Sequence, residues 1–503
     1  MFEGQPKGLY ALALANTGER FGYYTMIAVF ALFLRANFGL TPGMAGTIYS
    51  SFLMFVYFFP LIGGFMADKF GFGRMVTTGI IIMFAGYLLL SVPLGGNTVA
   101  LVVMLAALIS IGFGTGLFKG NLQVMVGDLY NDPQYADKRD SGFSIFYMAI
   151  NIGALFAPTA AIRIMEWAQM NLGVSENDSY HFAFAVACAS LIVSIAIYYI
   201  FRGTFRHVEG GKKKGDAADV VDTLTPAQTK ERLIALVLVF GVVAFFWMSF
   251  HQNGLSLTYF ANEYNETSAE GLKAMAFNVW NLVAIILMVY AAFSLFQGKT
   301  TKGRGIAALV IVAALGFLAY NYGVLDGSVE VKAPIFQQFN PFYVVALTPV
   351  SLAIFGWLAA RNKEPKAPRK IAYGMIVAAV AFCLMLYASL TLPSPTEQAA
   401  LGEAAPRVSS YWLISTYLVL TFGELLLSPM GISFVSKVAP PKYKGACMGG
   451  WFVSTAIGNQ LVMVGGLLWG DLPLWSVWAV FAALCLLAAA FMFAIMGRLE
   501  KVC

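Results

Sequence analysis

Four charged residues stand where their surroundings make charge expensive. Asn16-Thr17-Gly18-Glu19-Arg20-Phe21-Gly22-Tyr23-Tyr24 sets two opposite charges inside the otherwise apolar run 9–34, Lys119 lies in a second such run, and Glu424 is alone in a third. Moving Glu or Arg to a bilayer centre costs roughly 2.5–3.5 kcal/mol on insertion scales, so these groups normally face a polar cavity or a partner. At helical spacing Asn16, Glu19, Arg20, Tyr23 and Ile27 share one face and would line one wall. Two uses compete for Glu19 and Arg20: a functional pair facing a cavity, or a pair that only ties helices together. Lys119 and Glu424 carry opposite signs in opposite halves of the chain, so a small zwitterion would bridge them, carboxylate to Lys119 and ammonium to Glu424. His251, in Trp247-Met-Ser-Phe250-His251-Gln252-Asn253-Gly254, adds a side chain whose charge changes near neutral pH. A neutral, hydrogen-bonded histidine at a helix end is the competing reading.

Membrane-spanning helices must position these residues. The chain is 59% hydrophobic and 12% charged, whereas a soluble domain carries about 25% charged residues. Its apolar runs are about 20 residues long, the length a helix needs to cross a bilayer. The pattern predicts an all-α membrane protein of 14 spans rather than a β-barrel. An even number puts both termini on one side. The loops of that side hold 25 of the 32 Lys and Arg, so both ends are expected in the cytoplasm. The net charge of +6 is therefore a topology signal, and no nucleic-acid partner is expected. No cleavable signal is expected before the first span. The five Cys and three His have neither disulfide-framework nor metal spacing.

Three regions are expected. Residues 1–202 make a six-span bundle, 203–231 a cytoplasmic linker, and 232–503 a second bundle that includes accessory spans over about 274–323. Lys212 to Lys214 in the linker read as a topology determinant, with anionic-lipid binding as the alternative. The Pro- and Ala-rich loop 393–409 is expected to be irregular, and the accessory spans are expected to pack outside the transport core.

Between the second and third spans stands Gly63-Gly64-Phe65-Met66-Ala67-Asp68-Lys69-Phe70-Gly71-Phe72-Gly73-Arg74, which resembles the loop of the major facilitator superfamily. There the glycines would allow close packing and Asp68 would cap or pair; a plain charged turn is the alternative. With Met75-Val76-Thr77-Thr78-Gly79 and Phe143-Ser-Ile-Phe146-Tyr147-Met-Ala-Ile-Asn151-Ile-Gly153-Ala-Leu155, the chain resembles the two signatures of the proton-dependent oligopeptide transporter (POT/PTR) family. The opening stretch is similar to that family's Glu-x-x-Glu-Arg-Phe-x-Tyr-Tyr-Gly, and Gly114-Thr-Gly-Leu-Phe-Lys119-Gly-Asn121 to its Phe-Lys-Pro-Asn. Gln338-Phe-Asn340-Pro341 is similar to Leu-Asn-Pro, and Glu424-Leu-Leu-Leu-Ser428-Pro429 to Glu-x-x-x-Ser-Pro.

The resemblance implies a major facilitator fold of two six-helix bundles plus two accessory helices. It also implies a proton-coupled symporter of di- and tripeptides working by alternating access in a bacterial inner membrane. No enzyme activity and no cofactor beyond the coupling proton are implied, and a monomer is expected. Residue by residue, Lys119 would bind the substrate carboxylate and couple to Glu19, with Arg20 and His251 in the proton path. Glu424, Asn151 and Asn340 would bind the ammonium and backbone, joined by Asn16 and Ser428. Tyr23, Tyr24, Tyr57, Tyr147, Trp247, Phe250 and Trp451 would shape side-chain pockets, with core packing as the alternative for each. Three departures matter: Asn16 stands where the family has a glutamate, Ile27 where it has an arginine, and His251 where it has Asp or Glu. A carrier of another small anion or a drug, and a peptide receptor that does not transport, remain competitors.

Overall fold

Apolar segments that cannot leave backbone N–H and C=O groups bare in hydrocarbon close those bonds internally as helices. The computed structural model describes residues 4–210, 224–298 and 300–502, so Lys212 to Lys214 and Lys299 lie outside the described residues. The first six helices are α1 (Lys7–Phe38), α2 (Pro42–Phe70), α3 (Phe72–Ser91), α4 (Thr98–Asp128), α5 (Arg139–Leu172) and α6 (Glu176–Ile200). Next come α7 (Pro226–Phe250), a 3-10 turn at His251–Gly254, and α8 (Ser256–Glu263). An inserted unit follows: β1 (Ser268–Glu270), α9 (Gly271–Ala276), α10 (Val279–Gln297), α11 (Thr301–Gly323) and β2 (Ser328–Glu330). The chain continues through α12 (Phe339–Ala359), α13 (Ala367–Ala388), α14 (Pro395–Leu401) and α15 (Tyr411–Val438). It closes with α16 (Lys444–Leu461), α17 (Met463–Leu467), α18 (Leu474–Ala494) and α19 (Met496–Lys501).

Among the described residues, 13 helical segments are long and apolar enough to cross a membrane. The remaining expected span, 446–469, is α16 and α17, broken at Val462. There the Gln252 amide donates to the Val462 carbonyl at 3.0 Å; Gly465 leaves room for the Gln252 side chain, and Gly466 lets α17 approach Pro42 and Gly46 of α2. Local sequence sets many helix ends. Thr41 and Asn97 cap α2 and α4 with their side chains, while Gly39 and Gly173 close α1 and α5 in the left-handed conformation.

The loop 393–409 is not irregular throughout. Ser394 and Glu397 form a capping box with Pro395 at the first position, which starts α14. The chain also carries one short antiparallel ribbon, β1 with β2, which pairs Ser268 with Glu330 at the base of the α10–α11 unit.

In the first half α1 packs on α5 and α6, and α3 on α4 and α6; in the second, α13 lies between α15 and α18. α11 is largely exposed, as an accessory helix outside the core would be. α10 reaches further inward. It lies on α12, where the Tyr290 hydroxyl donates to the Val345 carbonyl at 3.1 Å, and on α5, where Trp280 meets Phe156 edge-on at 5.3 Å.

The halves pack together where α2 lies on α16 and α17, and charged and polar ties join them at the end away from the chain termini. Arg35 pairs with Glu263 there, Lys332 with Glu166 at 3.1 Å, and Gln337 donates to the Ala28 carbonyl at 3.2 Å. Among the described residues, every ion pair between the halves is at this end. Asp68, at the other end, is exposed and has no ion pair among the described residues.

The connection after α8 is tied to the start of α15. Glu266 accepts from the Lys273 ammonium at 2.6 Å and the Ser410 N–H at 2.9 Å, and Asn265 bridges to Val408. Burial pushes the Glu266 pKa up, but the Lys273 and Ser410 donors outweigh it and hold the carboxyl below its ordinary value. A carboxyl with a depressed pKa stabilises this clasp above the ordinary carboxylate range, and the contribution is lost as pH falls through the lowered value. Amides of 264–270 and 408–411 are therefore expected to lose hydrogen-exchange protection on acidification to about pH 3. Glu266→Gln should show the loosened pattern already at neutral pH. Equal protection in both proteins at both pH values would refute the assignment.

Candidate functional site

α1 brings its polar stripe inward: Asn16, Glu19, Arg20 and Tyr23 are all buried. Glu19 is 1% and Arg20 2% exposed, and they form a bidentate pair with both N···O distances at 2.5 Å. Neighbouring residues on a helix do not ordinarily face each other, so this pair forms by folding two long side chains together within α1. It therefore ties no helices together directly. Arg20 also lies over the Tyr23 ring, with Cζ 4.4 Å from the centroid, and Tyr23 packs on Tyr24 and Phe52.

Lys119 does not contact Glu19, whose carboxylate is taken by Arg20. Its ammonium lies 4.1 Å from the centre of the Tyr57 ring, on α2, and has no ion pair among the described residues. It remains within electrostatic reach of Glu19, Arg20 and His251.

His251 sits where α7 gives way to the 3-10 turn. Gly254 permits this approach to α2, since a Cβ there would lie 1.8 Å from the Tyr49 hydroxyl. The imidazole stacks on Trp247 at 5.2 Å, meets Phe250 edge-on at 5.4 Å, and lies 6.3 Å from Tyr57. Its Nδ1 is 2.6 Å from Asn459 Oδ1. Because Asn459 Nδ2 donates to the Leu53 carbonyl, its oxygen faces the ring, so Nδ1 carries the proton and Nε2 is the accepting nitrogen.

On α15, Glu424 is 8% exposed and accepts from Asn340 Nδ2 at 2.9 Å, which also reaches Thr421 Oγ1 at 3.0 Å. It has no basic partner within ion-pair distance among the described residues. Tyr24, Tyr57 and Tyr147 lie within electrostatic reach of it. Tyr147 is 43% exposed in the terminal-side half of α5, where Asn151 Nδ2 donates to the Tyr147 carbonyl at 3.0 Å rather than to Glu424. Trp451 is buried against α15 over Gly431, where a Cβ would meet the indole at 2.0 Å. Ser428, one turn beyond Glu424, is half-buried. Ile27 is buried and apolar, so this wall offers no cation at that position.

The arrangement is one pre-paired ion pair on α1 together with a cation on α4 and an anion on α15 that have no ion-pair partner among the described residues. The family model of the POT family matches residues 73–225 and 322–465, more than half of the chain. The chain belongs to the POT family. It is similar to dipeptide and tripeptide permease A of Proteus mirabilis, 28% identical over 90% of this chain and 84% of that protein. It is also similar to the peptide transporter YePEPT of Yersinia enterocolitica, 29% identical over 92% of this chain and 88% of that one. A solved peptide transporter in complex with alafosfalin superposes with a TM-score of 0.73 at 24% identity, over 100% of this chain and 96% of that one. That likeness shows the major facilitator fold.

This POT protein is thus a transporter and not an enzyme. The family match pauses over 226–321, which includes α7, its His251 turn, α8 and the inserted unit as far as the last turn of α11. Sequence reasoning about this POT protein missed two polar partners, Asn459 of His251 and Thr421 of Asn340. Each is one of several polar residues in a largely apolar helix. That is a signal of an interhelical bond, but it does not name the partner.

Proposed function

We propose that this POT-family protein is a proton-coupled symporter that imports di- and tripeptides by alternating access. The observation that carries the reading is a pair of opposite charges without ion-pair partners among the described residues, Lys119 on α4 and Glu424 on α15, one in each half. A peptide zwitterion spanning them neutralises both charges and joins the halves, so the halves can close around it. The aromatic wall of Tyr23, Tyr24, Tyr57, Tyr147, Trp247, Phe250 and Trp451, with Asn16, Asn151, Asn340 and Ser428, takes side chains and backbone without strict demands. Its similarity to a dipeptide and tripeptide permease and to a peptide transporter supports peptide as the substrate class.

The coupling path in this reading runs through Glu19. Its protonation releases Arg20, which then turns toward the substrate carboxylate beside Lys119 or leaves it. His251 accepts a proton at Nε2 and repels Lys119 from the Tyr57 ring. The termini lie in the cytoplasm of a bacterium, the inner membrane is the host bilayer, the segment 203–231 links the two bundles, and the working unit is a monomer. The charge asymmetry of the loops supports that orientation.

The test is uptake of labelled dialanine into liposomes containing the protein, with and without an inside-alkaline, inside-negative gradient. Accumulation above equilibrium only with the gradient is the expected result; no movement would sink the peptide reading, and gradient-independent equilibration the coupling. In the same assay His251→Gln is expected to lower gradient-driven accumulation several-fold while leaving peptide exchange intact. Unchanged accumulation would remove His251 from the path.

A further inference from the structure

The lipid-facing side of the second half contains a groove that the transport path does not use. Near the terminal end, a depression of about 560 Å³ is lined by Lys230, Leu233, Ile234, Val237 and Leu238 of α7 and by Lys442 and Tyr443. A second depression of about 430 Å³ shares Val237 and Leu238 and continues along α7 to Phe245, with Leu484, Leu487 and Phe491 of α18 as its other wall. The two are one groove. From Lys230 to Phe245 it follows α7 for roughly 22 Å at 1.5 Å per residue, somewhat more than one leaflet of a hydrocarbon core about 30 Å thick.

Its polarity is divided. Along the shaft the lining is apolar, and Val237, Phe245, Leu487 and Phe491 are exposed. At the mouth Lys230 and Lys442 are both exposed, and neither has an ion pair among the described residues. The neighbouring carboxylate, Glu231, is engaged with Arg498 at 3.6 Å. Two ammonium groups without a carboxylate partner among the described residues, Lys442 resting 5.7 Å from the centre of the Tyr443 ring, stand above an apolar shaft and complement a molecule with a charged phosphate at one end and a hydrocarbon chain at the other. Gly241 lies midway, and a Cβ there would meet nothing within 4 Å, so the shaft is open at that point.

We propose that this groove binds an anionic glycerophospholipid, with its phosphate between Lys230 and Lys442 and one acyl chain laid along α7 against α18. The site is separate from the peptide path, and only the choice of leaflet rests on the orientation proposed above. Each lysine is worth roughly fivefold in affinity for an anionic headgroup, so removing both is expected to weaken binding roughly 30-fold.

The test is native mass spectrometry of the full-length protein in detergent, titrated with phosphatidylglycerol or phosphatidylcholine of matched chains. The wild type is expected to retain phosphatidylglycerol preferentially. Lys230→Gln with Lys442→Gln should abolish that preference and leave phosphatidylcholine retention unchanged. Gly241→Phe puts a ring into the shaft from a position where a Cβ meets nothing within 4 Å, and should reduce retention of both lipids. Phosphatidylglycerol preference that survives the double substitution, or retention of both lipids unaffected by Gly241→Phe, overturns the proposal.

Discussion

Glu424→Gln is expected to raise the half-saturating concentration of dialanine by roughly 10- to 150-fold, the value of a charge-assisted hydrogen bond of about 1.5–3 kcal/mol. Glutamine keeps the volume and can still accept from Asn340, which lies 2.9 Å from the carboxylate, so the change is close to a pure loss of charge. No basic side chain among the described residues neutralises Glu424, and its negative charge is therefore available to a substrate ammonium. The same logic predicts a second signature. The wild type should reject N-acetyl-dialanine, which has no ammonium, whereas Glu424→Gln should handle the two peptides alike. A variant that keeps both its affinity and its discrimination would show that Glu424 does not bind the peptide terminus.

Glu19→Gln is expected to abolish gradient-driven accumulation, a fall of about 100-fold or more. Removing one member of a buried ion pair leaves the other charge uncompensated, at a cost of about 3–5 kcal/mol. Arg20, 2% exposed and held by both carboxylate oxygens, would lose its only ion-pair partner among the described residues. The coupling reading and a merely structural one separate in counterflow. If Glu19 is the proton site, preloaded liposomes should still exchange peptide through Glu19→Gln although the gradient no longer drives uptake. If the pair only stabilises α1, exchange, accumulation and thermal stability should fall together.

Much of the fold was legible because crossing a bilayer is decided locally. A run of about 20 apolar residues must be helical wherever it later packs, so the accessory pair and even the broken span 446–469 stood out in the sequence. The helix at Pro395–Leu401 was equally local, since Ser394-Pro395-Thr396-Glu397 spells a capped start, but the Pro- and Ala-rich composition hid it. Each polar residue of the candidate site was also visible singly, because a Glu, Lys or His in such a run needs a reason to be there.

The sequence by itself determined the spans, the charge asymmetry of their loops, the family signatures and the identity of the polar residues. Tertiary structure alone decided who meets whom. Glu19 turned to its neighbour Arg20 and not to Lys119, which came to rest on Tyr57. His251 took Asn459, 208 residues away, and Asn340 took Glu424, 84 residues away. α10 came to touch both halves, and the ion pairs between the halves gathered at the end away from the termini. The reason is physical. Hydrophobicity and capping act over a few neighbouring residues, whereas a partner across two helices depends on their rotation, register and spacing, which every other packed side chain helps to set.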